Sequence, residues 1–96
     1  MGNAIAIWEA RLPADRTADL LAAYVHVREL PSGMLRNMLC QDTADPEIWR
    51  AISIWESLEA LNEYRQSAGT PGALKLFQAA GAEPTRSVSE IVAQNG

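Results

Sequence analysis

Residues 3 to 11 alternate in character, with Ile5, Ile7, Glu9 and Arg11 on one side and Ala4, Ala6, Trp8 and Ala10 on the other. This predicts a strand that is apolar on both faces. Beyond the turn at Leu12-Pro13-Ala14-Asp15, Leu20, Leu21, Tyr24 and either Val27 or Arg28 recur at helical spacing. A first helix is therefore expected from Ala14 to about Leu30, ended by Pro31-Ser32-Gly33. Met34 to Gln41 is too densely apolar for a single helical stripe and reads as a second strand. The cluster Asp42-Thr43-Ala44-Asp45-Pro46 then turns the chain. Trp49, Ala51, Ser53 and Trp55 alternate with Arg50, Ile52, Ile54 and Glu56, giving a third strand antiparallel to the second. Ser57 suits the N-cap of a helix in which Leu58, Leu61 and Tyr64 with Arg65 continue at helical spacing until the break at Ala68-Gly69. Thr70-Pro71 starts a shorter piece, a capping hydroxyl followed by Pro at the first helical position, with Leu74 and Phe77 buried and an end near Gly81. Residues 85 to 93 alternate once more, Val88, Glu90 and Val92 against Ser87, Ser89 and Ile91, as a fourth strand.

The order βαββαβ, with the second helix in two pieces, predicts a ferredoxin-like α+β sandwich over residues 1–96, its helices on one face of a four-stranded antiparallel sheet. The helices can cover only one of the two apolar sets on the first and third strands. Leaving Ile5, Ile7, Ile52 and Ile54 in water would forgo roughly 1.5 to 3 kcal/mol each, a large loss for a small domain. A homodimer through the sheet face is the expected solution.

Composition narrows the partners. The 96 residues hold 8 Lys plus Arg against 12 Asp plus Glu, a net charge of −4, without the basic surplus that nucleic-acid binding requires. At 48% hydrophobic and 21% charged the chain should fold. A single cysteine, Cys40, offers no disulfide framework, and a reducing, cytoplasmic setting is expected, with no membrane partner. One Cys, one His and scattered carboxylates provide no metal site of ordinary ligand number.

The segment from Asp45 to Leu61, and above all the junction Trp55-Glu56-Ser57 where a strand runs straight into a helix, resembles the antibiotic biosynthesis monooxygenase family of small dimeric α/β-barrel proteins. The resemblance implies an apolar cavity between sheet and helices, with Trp55 lining it. It also implies chemistry in which some members oxygenate anthrones or quinols without metal or flavin, while others degrade haem. This chain departs from both patterns. The haem-degrading members carry an Asn late in the first strand and a His after the motif helix; here Ala10 occupies the first place and Thr70 to Ala80 contains no His. The anthrone oxygenases carry an Asn and a Tyr where Ala51 and Leu61 stand, and their basic helix residue corresponds to Lys75.

Small residues flanking two tryptophans on one face leave room for a flat aromatic ligand. Trp55 and Lys75 are the candidate catalytic residues, and Trp8, Ser53, Tyr24 and Tyr64 the candidate substrate contacts. His26 lies about 160° around the helix from the buried stripe and should face solvent. The function expected is a cofactor-independent monooxygenase-like dimer acting on a planar aromatic, a quinol or a polyketide-type phenol. The alternative is a non-catalytic ligand-binding or stress-associated dimer on the same scaffold, which the missing Asn, Tyr and His favour.

Overall fold

The structure is a computed structural model that describes residues 2–26, 29–67, 69 and 71–95. Its strands are β1 (Ala4–Arg11), β2 (Met34–Gln41), β3 (Ile48–Trp55) and β4 (Thr85–Glu90). Its α-helices are α1 (Thr17–Tyr24), α2 (Leu58–Ser67) and α3 (Gly72–Ala79), with a 3-10 turn at Ala14–Arg16 ahead of α1. The strands form one antiparallel sheet in the order β2-β3-β1-β4, which is the ferredoxin-like α+β arrangement. Among the described residues no helix is long and apolar enough to cross a membrane.

Alternation sorts the two sheet faces. Ile5 lies opposite Ile54 and Ile7 opposite Ile52, on the side away from the helices. Arg36 and Met38 of β2 continue those rows, and all four isoleucines are half-buried by their neighbours. The other side carries Ala4, Ala6, Ala10, Trp49, Ala51 and Trp55, all buried beneath the helices. There the core divides into two clusters. Leu12, Leu20, Trp49, Leu76 and Phe77 pack at one end, and Ala4, Ala6, Trp55 and Leu61 at the other.

Four expectations need correction. The first helix stops at Tyr24 rather than near Leu30, and Val25 and His26 close it with turn bonds to Leu21 and Ala23. Leu21, expected on the buried stripe, is 45% exposed, because Leu20 takes the core position and the partly buried Ala23 and Tyr24 complete the stripe. The fourth strand ends at Glu90; Ile91 donates to the Asn3 carbonyl (2.7 Å) and Val92 projects into solvent. Pro71 is the N-cap of α3 rather than its first helical residue. The expected positions at Val27, Arg28, Ala68 and Thr70 lie outside the described residues.

The helix ends follow local chemistry. Ser57 Oγ accepts the Ala60 amide at 3.0 Å, the N-cap bond its side chain was expected to make. Gly81, at φ 79°, closes α3 with its own amide on Gln78 O (2.9 Å) and the Ala82 amide on Phe77 O (2.9 Å), a Schellman motif. Gly33 holds φ 87° where β2 leaves the preceding turn, and its carbonyl accepts the Glu56 amide at 2.8 Å. A Cβ on Gly33 would lie 2.7 Å from Ala60 Cβ, so this glycine permits both the left-handed backbone and the close approach of α2.

The loop joining β2 and β3 is held by charge. Asp42 accepts the amides of Ala44 (3.0 Å) and Asp45 (2.8 Å) and bonds Arg50 Nη1 at 2.9 Å, while Arg50 Nε reaches Glu9 at 2.7 Å. Arg11 bridges Asp45 (2.8 Å) and Glu47 (3.2 Å). The Arg50 hydrogen bond, then the Asp45 amide, holds the Asp42 carboxyl below its ordinary range; Arg11, then the Glu47 amide, does the same for Asp45.

Two outcomes follow. Gly33→Ala should lower unfolding stability by about 2 kcal/mol, read from urea denaturation, since it adds left-handed strain and a backbone-adjacent clash. The depressed Asp42 and Asp45 carboxyls stabilise the fold above their unfolded pKa of about 3.9, and that stabilisation is lost as pH falls below it. The urea midpoint should therefore decline below about pH 4, and Asp42→Asn should flatten that decline.

Candidate functional site

The helix-facing side of the sheet alternates in size as well as polarity. One row across β2, β3, β1 and β4 reads Asn37, Ser53, Ala6, Val88, and the next reads Leu39, Ala51, Trp8, Arg86. The floor formed by Ala6, Ala51 and Ser53 is low, whereas Trp55 and Trp8 stand up on either side of it. The helices rest on the tall residues at both ends and cannot follow the surface down between them. A cavity of about 200 Å³ remains at the seam of the two core clusters. Tyr64 of α2 stacks on Trp55 with centroids 5.1 Å apart and a tilt of 39°. Tyr24 of α1, Leu61 of α2, and Ala73 and Leu76 of α3 complete much of the apolar wall.

The polar atoms of the lining are joined in three short relays. Trp55 Nε1 donates to Ser53 Oγ at 2.8 Å. The Gly72 amide at the start of α3 donates to the Tyr64 hydroxyl at 2.9 Å. The Tyr24 hydroxyl donates to Asn37 Oδ1 at 3.1 Å, with the Asn37 carbonyl also near at 3.3 Å. Each receiving group keeps a donor of its own. Among the described residues neither the Ser53 nor the Tyr64 O–H has an acceptor, and the Asn37 amide meets only Met34 Sδ, at 3.7 Å. All three residues line the cavity, Ser53 and Asn37 with part-buried hydrogen bonds and Tyr64 with an exposed one, and each keeps a donor polarised by an incoming bond.

The structure brings five of the six sequence-predicted residues together on this lining: Trp8, Tyr24, Ser53, Trp55 and Tyr64. It does not bring Lys75, which is exposed on the outer side of α3, because Ala73 and Leu76 take the inward positions of that turn. His26 is exposed, in the turn that ends α1 rather than on a helical face, and is not part of the lining. Cys40 pairs with Arg50 on the opposite face of the sheet.

Sequence reasoning missed Asn37, Met34, Arg65 and Arg86, all of which line the cavity. For Arg86 the signal was present: it shares parity with Val88 on β4 and so faces the helices. Glu9 bonds Arg50, and Arg86 lies over the Trp8 ring with its guanidinium carbon 5.8 Å from the centroid. Met34 and Asn37 share a face despite their odd spacing, because a bulge between Met34 and Arg36 inserts Leu35 into β2. Among the described residues no group of three or more His, Cys, Asp and Glu could hold a metal ion.

No protein in the curated collection matches the chain significantly. Solved structures do match. A candidate antibiotic biosynthesis monooxygenase from Deinococcus radiodurans superimposes with a TM-score of 0.77 at 16% identity, covering 97% of this chain and 96% of the other. Another, from Bordetella bronchiseptica, gives 0.72 at 20% identity over 97% and 100% of the two chains. A variant of MhuD with two manganese protoporphyrin IX bound per active site gives 0.72 at 21% identity over 97% and 98%. At these identities the likeness establishes the fold, and the sequence itself supplies the family. Residues 5–82, which run from β1 through β2, β3 and α2 to just past the end of α3 and hold the cavity lining from Ala6 to Leu76, match the antibiotic biosynthesis monooxygenase model, and the chain belongs to that family.

Proposed function

We propose that the cavity binds a planar phenol or quinol and that the protein oxygenates it without a resident cofactor. Family membership supports a monooxygenase-like, small-molecule-binding protein; the three polarised donors of Ser53, Tyr64 and Asn37 carry the finer reading. Ionising a bound phenol leaves an oxyanion, and preorganised donors in an apolar site stabilise such a charge far better than water-competed ones. The electron-rich ring then reduces dioxygen. In a phenol the ring C–H para to the phenolate becomes a carbonyl: one oxygen atom enters the product, and the other leaves as water with the ring hydrogen and the phenolic proton; in a quinol, whose para carbon already bears oxygen, one oxygen atom enters a neighbouring ring C–H as a hydroxyl and the other leaves as water with the two quinol protons, giving a hydroxyquinone. The substrate supplies all four electrons.

Tyr64 and Trp55 would hold the ring by stacking and edge contact, and Trp8 would close the other side. A porphyrin fits this lining poorly. Haem iron is held by His, Cys, Met or Tyr, and the lining offers only Met34 and two tyrosines, each already engaged in a hydrogen bond. His26 and Cys40 lie elsewhere. A cavity of about 200 Å³ also lies below the usual range of roughly 300 to 1,000 Å³ for larger ligands.

Binding without turnover is the second reading, and one observation favours it. Glu29 is the only carboxylate among the described lining residues, so the site is rich in donors and poor in bases. Oxygen uptake with a panel of quinols and naphthols separates the two readings. The oxygenase reading expects uptake, with Tyr64→Phe and Ser53→Ala each lowering kcat/KM by about tenfold to a hundredfold. Quenching of tryptophan fluorescence by the same compounds with no uptake would establish the binding module instead.

The sheet face opposite the cavity is proposed as a homodimer interface, supported by the rows Ile5–Ile54 and Ile7–Ile52 and by the flanking Met38. Sedimentation velocity at micromolar concentration should give twice the chain mass for the wild type and a monomer for Ile7→Asp. A monodisperse wild-type monomer would overturn this assignment.

A further inference from the structure

One end of the cavity carries charge that no carboxylate among the described residues pairs with. Arg86, on edge strand β4, and Arg65, near the end of α2, both contribute to the lining. Of the described arginines, Arg11, Arg16 and Arg50 each hold a carboxylate; Arg36, exposed on the other face of the sheet, and Arg65 and Arg86 hold none, and only the last two line the cavity. Glu29 lies on the same lining but is exposed and forms no ion pair with either. In a chain of net charge −4, with 12 acidic residues available, two unpaired guanidinium groups at one pocket are a specific arrangement.

Arg86 is the more informative of the two. It is half-buried, directly opposite Trp8 in the β1–β4 register, and lies over that ring. Burial and, second to it, the like charge of Arg65 push its pKa below the ordinary arginine value. A bound anion would relieve both penalties at once, and a carboxylate matches the planar fork of the guanidinium. The cation–π contact fixes the guanidinium beside the aromatic wall, so a ligand stacked near Trp8 would present its acidic edge to Arg86 without reorganising the site.

We propose that the ligand is an aromatic carboxylate, a one- or two-ring acid whose ring system lies between Trp8 and Trp55 and whose carboxylate is held by Arg86 with Arg65 beside it. The inference rests on reading this cavity as the ligand site and adds to it the ligand's charge and size. A dry apolar cavity of about 150 Å³ holds a single benzene ring, so about 200 Å³ suits one or two rings rather than a fused polycycle. The phenol oxygen would meet the donors of Ser53, Tyr64 and Asn37 on the sheet's β2–β3 side, while the carboxylate would point toward β4.

Isothermal titration calorimetry with naphthoate and its neutral isostere naphthamide tests this. Wild-type protein should bind naphthoate at least about tenfold tighter than naphthamide, and the advantage should shrink as salt is raised. In R86Q the advantage should fall to within about twofold while naphthamide affinity is unchanged, which also shows that the variant is folded; R86K should keep part of it. Equal affinities in the wild type, or an undiminished preference for the acid in the R86Q/R65Q double variant, would overturn the proposal while leaving the aromatic-binding site in place. A tenfold preference for naphthyl phosphate over naphthoate would reassign the anion from carboxylate to phosphate. Binding of none of these compounds would overturn the ligand-site reading itself.

Discussion

The size alternation on one face of the sheet governs most of what this protein can do. Small residues at positions 6, 51 and 53 stand between Trp8 and Trp55, and the antiparallel register puts them side by side rather than scattering them. Helices are rigid cylinders with side chains of fixed reach, so a helix seated on a tryptophan cannot also touch an alanine one row away. The space of about 200 Å³ that remains is partly open to solvent at the exposed Glu29, Arg65 and Gly72, so it is an accessible pocket rather than a sealed core void. Leucines at positions 6 and 51 would have filled the gap.

The same register determines what the space contains. Ser53 receives the Trp55 indole N–H along its own strand, Asn37 comes in from β2, and Tyr64 arrives with α2 at the height of Trp55. Ser53 is held within β3, while Asn37 and Tyr64 are each anchored by a bond from a second helix, Asn37 from Tyr24 of α1 and Tyr64 from Gly72 of α3. The Gly72 amide is notable because it is a free helix N-terminal donor that would otherwise need water. By accepting it, the Tyr64 hydroxyl satisfies the start of α3 and directs its own proton elsewhere.

Much of this was legible in the sequence because strand periodicity is unforgiving. Alternation in residues 4 to 11 and 48 to 55 sorts every side chain to a face, and the Trp55-Glu56-Ser57 junction ties the third strand to its helix. Five lining residues follow from those patterns. Asn37 and Met34 were hidden because a single extra residue, Leu35, breaks the parity of β2, and a bulge leaves no distinctive residue type behind it. The early stop of α1 was hidden for a different reason. Val25 and His26 are compatible with a helix, and the turn they form is decided by tertiary packing. Lys75 was placed by resemblance alone, and the rotation of an eight-residue helix about its axis is settled by which two or three apolar side chains it buries. With Leu76 and Phe77 inward, position 75 must face out.

The two faces of the sheet finally make opposite demands on the same strands, and the sequence meets them with opposite chemistry. The outer face uses isoleucine in adjacent rows, which gives a flat, continuous surface suited to another apolar surface of the same kind. The inner face breaks continuity deliberately, interposing alanine and serine between tryptophans. A substitution that smooths the inner face would fill the cavity, whereas one on the outer face would leave the cavity lining untouched. Because successive residues alternate between faces, the two properties are carried by interleaved positions. They can vary independently although they share every strand. The charged groups obey the same division. Arg50 on the outer face is neutralised by Glu9 and Asp42, while Arg86 on the inner face is left for whatever enters the cavity.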